Sequence, residues 1–215
     1  MTKKTVFTEK GWDPAEWMNV KSSRWDYVHG FEQRRDHIVN ESGDWSDDEL
    51  YAGHVTEVYS SILLKEKFSG KCRFSSVMSF DHLMAPLIVI APELGESADG
   101  TKEYRRHHEV VLYNEGINIW RYGWKDGRAN WVLAAFLRAP FDPKTKYELS
   151  VTVEAYKNTR RMTVECGGRT FGYSDDALEL DNYAGITGCE GRNRFYDFTV
   201  ETGLEAHDDA SDGEH

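Results

Sequence analysis

The stretch HHEVVLYNEGINIWRYGW, His107 to Trp124, holds the residues best suited to chemistry. Read as two strands, its side chains alternate between faces. His107, Glu109, Val111 and Tyr113 share one face of the first strand, and His108, Val110, Leu112 and Asn114 the other. On the second strand Asn118, Trp120, Tyr122 and Trp124 share a face, with Ile117, Ile119 and Arg121 opposite. A face of Asn, Trp, Tyr and Trp suits a sugar-binding groove, because aromatic rings stack on the apolar C–H faces of sugars and amides bond their hydroxyls. The other reading makes Trp120 and Tyr122 core aromatics, and the sequence leaves both open. Glu109 is a carboxylate inside an apolar run, where burial without a partner is costly. It is the leading general acid/base candidate, against a solvated acid on a strand face.

Cleaving a glycosidic bond takes two carboxyl groups flanking it. Glu57, Asp81, Glu190 and Asp197 are candidates for the second. A lyase instead needs a cation or amide on a uronate carboxylate and a Tyr or His to take the proton. Arg105, Arg106, His107, His108 and Tyr113 cluster in sequence, with Arg192 and Arg194 elsewhere. In SFDHLMAP, His82 stands beside Asp81 and is a second catalytic candidate, or a loop histidine. In YAGITGCEGRNRFYDFTVE, two apolar runs flank Cys189, Glu190, Arg192 and Arg194. That knot reads as a turn, with Cys189 a structural thiol and Glu190 paired to Arg192 or Arg194. The alternative is a loop closing one end of the groove, with Glu190 or Arg192 touching ligand. The candidates are therefore Glu109 and His82 for catalysis, and Asn118, Trp120, Tyr122, His107, Glu190 and Arg192 for binding.

His107 and His108 point to opposite faces of a strand and cannot share one metal there. No HxH or HExxH spacing occurs, so no catalytic metal and no cofactor is expected. A structural calcium on surface carboxylates stays open, although no EF-hand-type loop is present. CGGRTFG is a turn with no helix after it, which argues against a nucleotide, and GxSxG is absent.

These residues need a scaffold of strands. From about Val55 onward, short apolar runs alternate with turn signals: SSILLKEKFSG, KCRFSSVMSF, APLIVIAPEL, a polar loop GESADGTKEYRR, then two runs broken by Asn-Glu-Gly. YELSVTVEAY, RMTVEC and RTFGYS read as a meander. Roughly 10 to 12 strands with turns every 8 to 12 residues fit an all-β sandwich or barrel and not βα units. Near the C-terminus, Tyr196, Phe198 and Val200 are expected in the core. Tyr183 to Thr187 is expected as their partner strand, with Gly185 allowing close approach.

Residues 1–54 read as an irregular segment packed on the sandwich, with one early strand such as WDYVHGF. WSDDELYAGH could form a short helix capped by Ser46 with Glu49 at the capping-box position. Residues 55–202 form the sandwich, and 203–215, with five acidic residues, an acidic disordered tail.

The chain has 215 residues, 40% of them hydrophobic, with 7 Trp, 11 Tyr and 10 Phe, enough for one sizeable core. A net charge of −11 disfavours nucleic acid and anionic membranes, which need a basic surface. No apolar run approaches the roughly 18 residues of a membrane span. No signal peptide is visible, so the cytoplasm is the expected compartment, with a removed export sequence as the alternative. Three widely spaced cysteines, Cys72, Cys166 and Cys189, make no disulfide framework. Exposed sheet edges leave a homodimer open.

Four stretches carry a resemblance: FSGKCRFSSVMSFDHLMAPLIVIAPEL, HHEVVLYNEGINIWRYG, YELSVTVEAYKNTRRMTVECGGRTF and YAGITGCEGRNRFYDFTVE. Over about Val55 to Thr202 their strand order resembles the concanavalin A-like lectin/glucanase superfamily, including its bacterial sugar-utilisation members. The resemblance implies a jelly-roll β-sandwich of two antiparallel sheets and a carbohydrate ligand on the concave sheet. EVVLYN resembles an ExQxxD-like pattern through Glu109, with Val111 and Asn114 where that pattern has Gln and Asp. The ExDxE motif of laminarinase-like relatives is absent. Fold alone does not choose among roles. The reading leans to an enzyme of glycoside hydrolase or polysaccharide lyase type acting on an oligosaccharide or glycoside. A non-catalytic carbohydrate-binding or accessory domain is the rival, and an interaction platform the third class.

Overall fold

The computed structural model describes residues 1–24, 30–40, 46, 48–49, 59–81 and 85–204. Strands dominate them. In chain order they are β1 (Thr2–Val6), β2 (Trp17–Lys21), β3 (Phe31–Gln33), β4 (Ile38–Asn40), β5 (Tyr59–Leu64), β6 (Phe68–Ser69), β7 (Cys72–Phe80), β8 (Pro86–Glu96) and β9 (Lys102–Tyr113). Then come β10 (Gly116–Lys125), β11 (Arg128–Arg138), β12 (Tyr147–Tyr156), β13 (Thr159–Cys166), β14 (Arg169–Ser174), β15 (Asp181–Cys189), β16 (Asn193–Phe195) and β17 (Asp197–Thr202).

The strands form two sheets. One runs β14–β13–β12–β7–β16–β4–β3, with β17 also on β7 and β1 on β17. The other runs β11–β10–β9–β8–β15–β5–β2, with β6 on the start of β15. Apart from one short parallel contact between β2 and β9, every pairing is antiparallel. This is the expected two-sheet antiparallel sandwich. The predicted meander is β12–β13–β14, and the Asn-Glu-Gly signal is the β9–β10 hairpin. Asp126 and Gly127 turn β10 into β11 with φ of 53° and 74°, a left-handed pair that matches the twist of a hairpin.

Two cores explain the apolar pattern. Between the sheets, Phe74, Met78, Phe80, Ile88, Leu112, Ile119, Phe195 and Phe198 pack together, all buried. A second cluster lies on the other face of the β9–β10 sheet and includes Val20, Leu63, Leu87, Val89, Ala91 and Tyr104. It exists because β2 bridges β5 to the start of β9, where Val20 lies opposite Lys102. Strands β9, β8, β15, β5 and β2 thereby close into a ring at one end of the sheet. The run LIVIA in β8 is buried on both faces, which is why it does not alternate with polar residues.

Several expectations change. The described part of residues 1–54 contains four strands rather than one, and they join both sheets. These strands are short and carry charged residues, which hides their periodicity. WDYVHGF falls largely on 25–29, outside the described residues, as do 41–45, 50–58 and all but two residues of the acidic tail. The predicted capping contact is present: Ser46 Oγ donates to Glu49 Oε2 (2.8 Å) and accepts from Glu49 N (3.3 Å). The loop expected at GESADGTKEYRR shrinks to residues 97–101, because β8 and β9 extend on both sides of it.

The closing element differs most. The strand after CEGRNR does not pair with the one before it: β15 belongs to one sheet, β16 and β17 to the other. Phe195 lies opposite Met78 and Thr199 opposite Ser75, so one extra residue interrupts the ladder on β7. Such an insertion reverses the alternation. Phe195 and Phe198 therefore both enter the core, and Tyr196 turns outward under Lys146, whose Nζ is 3.6 Å from the ring centre.

Candidate functional site

Glu109 sits in the middle of β9, between Val89 of β8 and Trp120 of β10. It is 3% exposed. A carboxylate this deep requires partners. Tyr59 of β5 donates its hydroxyl to Glu109 Oε1 at 2.7 Å, and His107 Nε2 lies 3.3 Å from the same oxygen. Burial, and then the nearby Glu109 charge, holds the Tyr59 phenol well above its ordinary pKa, so it remains a donor. The same two causes raise Tyr122. His107 is held between two rings, 4.3 Å from Tyr104 and 4.4 Å from Tyr122, the latter stacked within 10°. Below them Ser61 Oγ links the Tyr104 hydroxyl (2.6 Å) to Thr187 Oγ1 (2.7 Å).

Above Glu109 opens a cavity of about 170 Å³. Asn118, Trp120, Tyr122, Tyr113 and Val111 line it from β9 and β10, Ala85 and Leu87 from just before β8 and from its start, and Cys189 and Glu190 from the end of β15 and the turn after it. Arg24, just past β2, completes the lining: its guanidinium donates to the Tyr122 hydroxyl (3.2 Å) and lies 4.7 Å from the Trp131 ring centre and 5.9 Å from that of Trp120. Tyr122 is 5% exposed, as a core aromatic is, and it also lines the cavity.

The CEGRNR turn does overhang this cavity. Glu190 and Gly191 take left-handed backbone angles, φ 54° and 76°. Two buried asparagines hold them there. Asn40 Nδ2 donates to Gly191 O (2.8 Å), the Asn193 backbone N–H donates to Asn40 Oδ1 (2.6 Å), and Asn193 Nδ2 donates to Cys189 O (3.1 Å). Both arginines of the turn reach Asp81, Arg194 in a two-point pairing at 2.6 and 2.9 Å and Arg192 at 3.6 Å. The expected partner for these arginines was Glu190; Asp81, buried beside the turn, meets both, while Glu190 faces the cavity.

Of the predicted residues, Glu109, Asn118, Trp120, Tyr122 and Glu190 come together around one space. His107 lies beneath Glu109 instead of lining that space, and Arg192 is drawn to Asp81. His82 lies outside the described residues. The lyase set is dispersed: Arg105 pairs with Glu103, Arg106 with Glu93, His108 points away, and Tyr113 alone of that set lines the cavity. Tyr59 and Arg24 were not foreseen, since only the ring of strands brings them here. Among the described residues, no group of three or more His, Cys, Asp or Glu could hold a metal ion.

His108 turns toward the other sheet, with Tyr173 6.1 Å away. Burial, then the neighbouring His107, pushes its pKa down to about 4 from the usual 6.5. The unfolded chain thus binds a proton below about pH 6.5 that the folded chain refuses until about pH 4. Stability is fully present above the unfolded value and falls through that window as pH drops. At about 1.4 kcal/mol per unit the loss is on the order of 3 kcal/mol. Urea unfolding between pH 7 and 4 is expected to show a shallower fall for His108→Leu than for the unaltered protein; equal slopes contradict the assignment.

No protein-family model and no curated protein sequence matches the chain. Solved structures do. The carbohydrate-binding module CBM66 from Bacillus subtilis superposes with a TM-score of 0.57 at 13% identity, covering 87% of this chain and 96% of that module. A seed lectin of Lotus tetragonolobus gives 0.58 at 8% identity, covering 96% and 100%. The kappa-carrageenase from Pseudoalteromonas carrageenovora gives 0.52 at 12% identity, covering 92% of each chain. Identities this low speak for the fold alone, and that fold is a jelly-roll sandwich of two antiparallel sheets.

Proposed function

We propose that the protein binds a carbohydrate on the concave face of its β9–β10 sheet, with one sugar unit seated in the cavity above Glu109. The observation that carries this reading is a buried, partnered carboxylate at the base of an aromatic-walled cavity. Glu109 supplies an acceptor for sugar hydroxyls, Asn118 a donor and acceptor, and Trp120 and Tyr113 apolar surfaces for C–H faces. The likeness to sugar-binding folds supports the same direction. A cavity of about 170 Å³ is smaller than the roughly 300–1,000 Å³ of clefts for drug-sized ligands, which fits a single ring or chain end.

Hydrolysis is the second reading, favoured by one observation: Glu190, a second carboxylate, lines the cavity that Glu109 underlies. Glu109 would act as general acid/base and Glu190 as its partner. A glycan array with parallel hydrolase and lyase assays tests both readings. Array binding with no product supports the binding module, and binding with hydrolytic product supports the enzyme. No binding to any glycan overturns both.

A further inference from the structure

A second cavity, of about 250 Å³, shares no described lining residue with the one above Glu109 and is the larger of the two. Trp17, Met18 and Asn19 of β2 and Ile62 of β5 line it from one sheet, and Phe31 of β3 lines it from the outer strand of the other. Trp12, on the link between β1 and β2, adds a further wall. The cavity therefore opens between the two sheets. None of the described residues that line it carries a charge.

Trp17 gives this space its chemistry. It is 5% exposed, and its buried indole N–H meets no acceptor among the described residues. A buried tryptophan N–H usually has a partner, and an orphaned one calls for an explanation. Trp12 shows the ordinary case: its N–H donates to Gln33 Oε1 at 2.7 Å. Trp17 is not free to turn in search of one. The rings of Phe7, Trp12 and Phe198 hold it at centroid separations of 5.5, 6.2 and 5.6 Å.

We propose that this cavity binds a neutral aromatic molecule bearing an acceptor oxygen, which takes the Trp17 N–H. Size sets the scale of the ligand. An apolar cavity of about 150 Å³ holds benzene, so this one has room for a ring and a small substituent. It is too small for a strand or helix of a protein partner. The rings of Trp12, Trp17 and Phe31 favour an aromatic occupant through offset or edge-on contacts. A charged ligand would be buried without a counter-charge among the described lining residues, which is costly. A ring with no acceptor would leave the N–H orphaned, so the oxygen is what selects among rings of equal size.

Acetophenone and α-methylstyrene form the test pair, since they share one shape and differ in a carbonyl oxygen against a methylene. Two-dimensional NMR of isotope-labelled protein reads the indole N–H groups, and the Trp17 resonance is the one that Trp17→Phe removes. Acetophenone is expected to bind saturably and to move that resonance downfield. α-Methylstyrene is expected to bind about 2- to 10-fold more weakly, the share of one neutral hydrogen bond, without that shift. Asn19 is exposed where it lines the cavity. Asn19→Trp, which fills the mouth, is expected to abolish saturable acetophenone binding with an unchanged circular dichroism spectrum and unfolding midpoint. Absence of saturable binding, equal affinity for the two probes, an unmoved Trp17 resonance, or binding that survives Asn19→Trp overturns the proposal.

Discussion

Replacing Glu109 with glutamine is expected to weaken carbohydrate binding by about 10- to 100-fold while leaving the fold intact. Glutamine keeps the volume and retains a carbonyl oxygen to accept from the Tyr59 hydroxyl 2.7 Å away. What disappears is the charge on the acceptor. Hydrogen bonds to a charged group contribute about 1.5–3 kcal/mol, and about 1.4 kcal/mol is tenfold in affinity. Burial of the Glu109 carboxylate, 3% exposed, at an aromatic wall keeps the effect near the upper part of that range. Titration calorimetry with a glycan identified on the array provides the measurement, and unchanged affinity removes Glu109 from the site. If the protein also cleaves its ligand, turnover is expected to fall by about 100-fold or more, the usual loss when a general acid/base is removed.

Gly185→Ala is expected to cost about 3 kcal/mol of stability, at the upper end for an overpacked interior. Gly185 lies on β15 opposite Leu63 of β5. A Cβ there would stand 2.1 Å from the Ile62 carbonyl oxygen and 2.8 Å from Leu63 Cα. Both obstacles are backbone, so relief requires the two strands to separate. The separation would reach the site, because β5 carries the Tyr59 that holds Glu109 and β15 ends in the turn that carries Glu190. Urea denaturation is expected to show a lower midpoint, together with weakened glycan binding in the folded fraction. A midpoint equal to that of the unaltered protein contradicts the close approach.

The fold was legible where contacts are local. The hairpin of β9 and β10 and the meander of β12 to β14 announce themselves by alternation and by Asn and Gly at the turns. Glu109 was legible because a carboxylate in the run EVVL is conspicuous. Contacts made by distant segments were hidden. Nothing near Tyr59 or Arg24 signals that β5 and β2 complete a ring beneath Glu109, since pairing partners in a sheet are set by topology. The alternation through Phe195 and Tyr196 was misread because an inserted residue leaves no mark in composition, and only its consequence, Phe195 in the core, reveals it. The turn at Cys189 was recognisable as a turn from its glycines. That it links two sheets and leans over the cavity follows from Asn40, 151 residues before the Gly191 carbonyl it binds.

A crystal structure of the protein soaked with the strongest glycan from the array tests the central claim most directly. The account predicts a sugar ring in the cavity, with a hydroxyl within hydrogen-bond distance of Glu109 and a C–H face against Trp120. Sugar bound on the opposite sheet, or along an edge with the Glu109 cavity empty, would contradict it.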